Sequence, residues 1–442
     1  MEPHQRLVIY CLLIIFAGTA FGDQTQTPMQ SRGPADTIVG SVADKDLQAL
    51  LQEVLERNPE IEGLSARISA AGHRSTAVRK LPDPRAELTA FVLPPETRVG
   101  PQRFSARLSQ QLPGGGKREI SGRVVDLERH ALTAEIQALR LTLVTETRRL
   151  VVEIAYLDQA RQVLSDDHAT LVHFEELART RYASGTGLQM DAIQLQTELT
   201  RLDARTAELD ERRAGLVAEI NRLRDRPGAS VASVKAPRLP SLNLDWNELR
   251  ERALASRPEL RADDARIGRS ATLTELATKD RSPDFSVGLT YAYVDKRTDA
   301  DVPKNGQDVL GISGGVTIPL WKSGNTAVVE AATGLRLAHE AERRATVAEI
   351  HRTIETLEGR IPEIERRLRL LEEVLPIQAE QALDSAVAAY AAGRVEALAL
   401  LEAERVLLDV RLSAARGRAD LAVAFIELEG AVGAPLTMGD RS

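Results

Sequence analysis

The chain has 442 residues, 43% hydrophobic, 27% charged and only 3% aromatic, with a net charge of −7. It leans on Ala, Leu, Arg and Glu, the residues of long helices, and is poor in the aromatics of a compact enzyme. Acids and bases are mixed without a basic block, which argues against nucleic acid as a partner. The single cysteine, Cys11, excludes an internal disulfide framework.

Residues 1–22 have the pattern of a secretory signal peptide. Arg6 precedes the apolar run Leu7 to Ala17, and Ala20 and Gly22 stand at the −3 and −1 positions of a cleavage site before Asp23. As a membrane anchor the run is too short. Cys11 lies inside it and follows no lipobox. Residues 23–43 are polar and read as an extended or disordered extension. No other stretch approaches 18 apolar residues, so any membrane crossing by this chain must use β-strands.

From residue 44 the chain repeats itself. A first helix carries Leu47, Leu50, Leu51, Val54 and Leu55 at helical spacing. A second starts at Pro59 behind Asn58 as its cap and runs to about Arg79. Strands are expected at about 85–93 and 103–112, the first of them the less clear. From Lys117 to Arg226 there is no proline, and Gly185 and Gly187 mark a reversal in the middle. One helix over 115–181 would be about 100 Å long at 1.5 Å per residue, and such a helix needs partners along its whole span. After a Pro/Ser/Gly-rich linker at 227–244 the same order returns, with strands at about 284–294 and 308–320. Pro362 and Pro376 predict kinks in the second long helix.

The spacings tie the two copies together. Asn58-Pro59-Glu60-Ile61 matches Arg257-Pro258-Glu259-Leu260, and Tyr182-Ala183-Ser184-Gly185 matches Tyr390-Ala391-Ala392-Gly393. Leu112 to Tyr182 is 182 − 112 = 70 residues, and Leu320 to Tyr390 is 390 − 320 = 70. The length difference falls in the polar segment 294–307, a loop. The repeats are therefore 44–226 and 245–433, with a tail at 434–442. By pattern alone the strands fit a soluble hairpin with one face on a core. The long helices around them favour a pole with two distinct ends. Four strands cannot close a barrel, and an open sheet edge is forbidden in lipid. Three copies would supply twelve strands, so closure argues for a homotrimer if the strands are in a membrane.

This architecture and its end motifs resemble the TolC-like outer membrane factors, over nearly the whole of the chain after the leader. The most specific part is the pair of helical turns, Tyr182 with Gly185 and Tyr390 with Gly393 and Arg394, followed by Leu400-Leu401-Glu402-Ala403. The resemblance implies an α+β membrane protein: two tandem repeats of helix, β-hairpin and long helical hairpin. It further implies a trimer whose 12-stranded outer-membrane barrel continues into a periplasmic α-helical barrel. Turns 182–187 and 390–395 would be the tips that meet a periplasmic adaptor. An inner-membrane pump, of the proton-driven resistance-nodulation-division type, would supply the energy, and outer-membrane lipid would surround the strands.

Several residues take roles from the same resemblance. Gly114, Gly116 and Lys117, within Pro113-Gly114-Gly115-Gly116-Lys117-Arg118, and Gly324 look like joins from strand to long helix. Gly-Lys-Arg at the first join looks most like the heavy-metal-efflux branch. The family closes its tip with acids nine and twelve residues after the second tyrosine. Here those positions are Ala399 and Glu402, so one acid is kept. Asp191 holds the ninth position of the first copy, and together they are the candidate pore gate. The glycine run does not match a phosphate loop. No metal site, cofactor or catalytic constellation is expected: the histidines read as surface residues, and Asp166-Asp167 as solvated helix charges.

The expected function is that of a passive exit duct in a tripartite efflux system. Alternatives are the same duct for drugs or for type I protein secretion, and a soluble periplasmic coiled-coil adaptor. A cytosolic structural coiled coil is disfavoured by the leader and the alternating strands.

Overall fold

The computed structural model describes residues 33–231, 244–299 and 302–436. The leader at 1–22, most of the linker and the end of the tail lie outside them. Within 23–43, read from sequence as extended, Pro34–Ser41 instead forms a helix, α1. Its Ala35, Ile38 and Val39 are buried against Leu51 and Val54 of α2 (Lys45–Arg57) and Leu141 and Val144 of α4 (Lys117–Ala183). The Asp36 carboxylate accepts the Gly33 N–H at 3.0 Å and pairs with Arg140 at 2.5 Å. Eight residues give too little periodicity to read, and so short a helix draws its stability from the surface it packs on.

Helix α3 (Pro59–Arg79) follows. The buried Asn58 side chain accepts the N–H groups of Glu60 and Ile61 at 3.0 and 3.3 Å. It also donates to the Leu223 carbonyl at 2.9 Å, so it caps the start of α3 and the end of α5 (Gln189–Leu223) together. The corresponding Arg257, ahead of α7 (Pro258–Lys279), makes no such cap. It reaches the Gly430 carbonyl at 2.7 Å instead.

The sheet consists of β1 (Arg85–Ala90), β3 (Gly100–Leu112), β4 (Asp284–Val294) and β5 (Val309–Thr317), antiparallel and in that order, with the short β2 (Glu96–Thr97) beside β3. The repeats meet at β3–β4, where Leu108 faces Leu289 and Arg107 faces Thr290. Strand β1 ends at Ala90, not near 93, and β3 begins at 100, not near 103. Strand β5 stops at Thr317, short of 320, because Pro319 has no N–H to continue a ladder.

The long helices dominate the rest. Helix α4 has 67 residues, about 100 Å at 1.5 Å per residue, and places the sheet at one end and its own turn into α5 at the other. In the second repeat, α6 (Trp246–Ser256) and α7 precede β4, and α8 (Lys322–Arg369) follows β5. Pro362 stays within α8 without ending it. The irregularity is a π-helical turn at Leu370–Val374, followed by α9 (Leu375–Ala391). Pro376 sits just past that turn. Its ring clashes with the carbonyl four residues back, and the wider turn relieves the clash. Helix α10 (Ala397–Val432) then returns along α4, α8 and α9. Among the described residues no helix is long and apolar enough to cross a membrane.

Candidate functional site

Two ends of the molecule carry the residues singled out from sequence. At the sheet end, register sorts the side chains by face. Ala86–Leu108–Leu289–Ile312, Leu88–Ala106–Tyr291–Leu310 and Leu112–Phe285–Val316 are cross-strand rows on one face. Phe104 stacks on Tyr293 in the same face, ring centroids 5.4 Å apart. The opposite face carries Arg85–Ser109–Gly288–Ser313 and Glu87–Arg107–Thr290–Gly311. Both faces are open in the protomer, and the apolar one is uncovered: Ile312 is 88% exposed, and Leu88, Leu310 and Val316 are also exposed. A sheet folding onto its own core would bury that face. β1 and β5 are both edges, each with one side unpaired in the protomer.

The joins differ between repeats. Gly115 and Gly116 have positive φ, and a Cβ on Gly114 would lie 2.2 Å from the Pro283 carbonyl oxygen. Gly114 N–H and Lys117 Nζ both donate to Asp284, at 2.8 and 2.9 Å, and Lys117 also reaches the Ser282 carbonyl at 3.0 Å. The first join is thus fastened to the start of β4. Gly324 lies in the first turn of α8 with open space around it, so nothing at that position requires glycine.

At the other end the two turns share one geometry. Gly185 and Gly393 have φ of 74° and 69°. Each donates its N–H to the tyrosine carbonyl, Tyr182 or Tyr390, at 3.0 Å. The next residue, Thr186 or Arg394, donates to the carbonyl five back, Arg181 or Ala389, at 2.9 Å in both. These are paired Schellman closures with glycine in the left-handed position. The tyrosines differ, however. Tyr182 is 49% exposed and Tyr390 only 1%. Tyr390 Oη donates to Asp191 Oδ2 at 3.2 Å, and Asp191 Oδ1 accepts the Ala397 N–H, the first residue of α10, at 3.4 Å. The Arg181 guanidinium covers the Tyr390 ring at 4.8 Å. Burial, then the Asp191 carboxyl, pushes the Tyr390 hydroxyl up to about 12.

This geometry separates the two acids of the gate expected from sequence. Asp191 is buried and engaged with the second hairpin, while Glu402 is exposed on α10, so the two do not form one carboxylate set. Asp191 ties the tips together instead. Tyr390, buried behind it, is not a surface for a partner, whereas Tyr182, Gly185, Gly393 and Arg394 are exposed. Asp167, read as solvated, is also buried. Further links between hairpins escaped the sequence reading, because each joins residues more than 200 positions apart. Arg416 reaches Glu153 at 2.7 Å, and Arg405 pairs with Glu198. Burial works against the Glu198 charge, but Arg405 and Arg201 hold its carboxyl below the usual range. His339 is partly buried and hydrogen-bonded to Ser270 at 2.7 Å. Among the described residues no cluster of three or more His, Cys, Asp or Glu is placed to hold a metal ion.

Residues 249–434 match the model of the family described as "Outer membrane efflux protein". The fold is similar to VceC, an outer membrane protein of Vibrio cholerae (20% identity, 88% of this chain and 97% of that one, TM-score 0.73). It is similar to the CmeC outer membrane channel of Campylobacter jejuni (13%, 96% and 92%, TM-score 0.75). It is likewise similar to the MtrE outer membrane channel of Neisseria gonorrhoeae in its open state (17%, 96% and 97%, TM-score 0.72). No curated protein sequence matches the chain.

Proposed function

From the match of residues 249–434 to the outer membrane efflux protein family model, we propose that the chain is a member of that family and one protomer of a trimeric exit duct for a tripartite efflux system. The observation that carries this reading is the uncovered apolar face of a four-stranded sheet with two open edges, mounted on a pole of helices about 100 Å long. Apolar side chains facing outward suit lipid and not water. The edges need partners in lipid, and three copies supply twelve strands in a closed ring.

In this reading the sheet end lies in the outer membrane and the helices extend into the periplasm. Exposed Tyr182, Gly185, Gly393 and Arg394 form the surface on which a periplasmic adaptor docks. The adaptor connects to a proton-driven inner-membrane pump, and the duct itself is passive. Docking loosens the Tyr390–Asp191–Ala397 tie, which frees the second hairpin to swing and widen the mouth. Glu402, exposed on α10, offers one carboxylate per protomer near that mouth, a ring that favours cations. With the Gly116-Lys117-Arg118 join, it points to heavy-metal cations as cargo.

The test is extraction of the full chain from outer-membrane fractions in mild detergent. A heat-stable particle of three times the protomer mass is expected, and a deletion strain sensitised to metal salts. A soluble periplasmic monomer would overturn the duct reading. Sensitivity to dyes and detergents in place of metals would overturn only the cargo.

A further inference from the structure

The seam between the two long hairpins, close to the tips, carries acids where its pattern calls for apolar residues. On α4, Leu164, Asp167, Leu171, Phe174 and Ala178 follow at steps of three and four, and all are buried. On α10, Leu401, Glu404, Leu408 and Leu412 do the same. The flanking leucines belong to one apolar cluster, which also includes Leu195 and Leu202 of α5. Asp167 is 6% exposed and Glu404 1%. Their carboxyl groups face each other within hydrogen-bonding reach. Yet Asp167 Oδ2 and both carboxyl oxygens of Glu404 meet no donor among the described residues. Two facing acceptors in an apolar seam repel if both are ionised, and one proton between them turns the repulsion into a hydrogen bond.

We propose that Asp167 and Glu404 hold one proton between them, and that this proton latches α4 to α10 beside the tips and releases them when it is lost.

The surrounding charges act on the pair from a distance, Arg411 and Arg205 favouring the Asp167 carboxylate, Arg405 that of Glu404, and Glu198 opposing both. From α5, Glu198, Arg201 and Arg205 approach. Glu198 is taken up by Arg201 at 3.1 Å and by Arg405 of α10. Arg411 of α10 pairs with Glu380 of α9 at 3.2 Å. On α4 itself Asp166 is exposed, and His168 lies 3.7 Å from Asp203 of α5. On α10, Glu402 faces solvent. Burial first, and then the facing Asp167 carboxyl, raises Glu404 to about 9, and burial also raises Asp167.

The sign follows from proton counting. The closed seam binds a proton that the opened seam, with ordinary carboxylates near 4.5, gives up. Closure is therefore fully favoured below that value and is lost progressively as pH rises toward about 9. One proton released per opening makes the opening constant grow about tenfold per pH unit within that window.

The experiment is hydrogen–deuterium exchange on the full-length protein in detergent, following the peptides around Leu164–Leu171 and Leu401–Leu408 from pH 6 to pH 8 after correction for intrinsic exchange. The wild type is expected to show an opening constant rising on the order of 100-fold over those two units. In Glu404→Gln the amide donates to Asp167 without titrating, and the slope should vanish. Asp167→Asn makes the same test should the first variant fail to assemble. A flat wild-type profile, or a slope that persists in the variants, would overturn the latch. The readout needs neither transport nor a partner, so it stands or fails apart from the duct reading.

Discussion

Removing one hydroxyl group tests the tie between the tips. In Tyr390→Phe the ring keeps its place under Arg181, but Asp191 Oδ2 loses the donor now at 3.2 Å and keeps only the Ala397 N–H, 3.4 Å from Oδ1. A hydrogen bond to a charged group is worth about 1.5–3 kcal/mol net, and less when long. A loss of about 1–2 kcal/mol is therefore expected, which is about a 5- to 30-fold increase in local opening at tenfold per 1.4 kcal/mol. Hydrogen exchange of the amides from Ala389 to Leu401 reads this directly. Tyr182→Phe is the internal control, because Tyr182 is exposed and its ring lies outside the tie. Exchange at Tyr390→Phe within about twofold of wild type, or equal acceleration in the control, would refute the assignment of Asp191 to the tie.

Asn58→Ala removes a cap from α3 and leaves the Leu223 carbonyl without its donor, so a loss of about 2–3 kcal/mol is expected, seen as a lower melting temperature. Gly393→Ala should cost about 1–2 kcal/mol, because φ is 69° there. Gly324→Ala should be neutral or stabilising by up to about 1 kcal/mol, since it lies in a helix with open space around it; thermal melts of the pair distinguish the two. Ile312→Arg places a charge on the exposed apolar face and should cost about 2–4 kcal/mol in a membrane. It should sharply reduce heat-stable protein recovered from outer-membrane fractions, whereas Thr317→Asn, on the opposite face, should leave recovery unchanged.

Much of the architecture is local and therefore readable along the chain. The matched 70-residue spacings, the proline-free stretch and the two Tyr-x-x-Gly turns depend on periodicity and on where glycine is needed. Each of those is a property of a few neighbouring residues. The structure placed Gly185 and Gly393 in the same closure for that reason. Strand alternation was equally visible, but not that the apolar face would lie uncovered, because the pattern of an outward apolar face equals that of an inward one.

What tertiary structure alone decided is the state of the acids. Asp191, Asp167, Glu404 and Glu402 all sit on helices and look alike in sequence. The partners of the buried three lie 199 to 237 residues away, Tyr390 for Asp191 (390 − 191) and Glu404 for Asp167 (404 − 167), while Glu402 faces solvent. A carboxyl group's behaviour depends on the dielectric and the donors around it. Only the packing of the second hairpin against the first determines whether each acid meets water, a hydroxyl, an arginine or another acid.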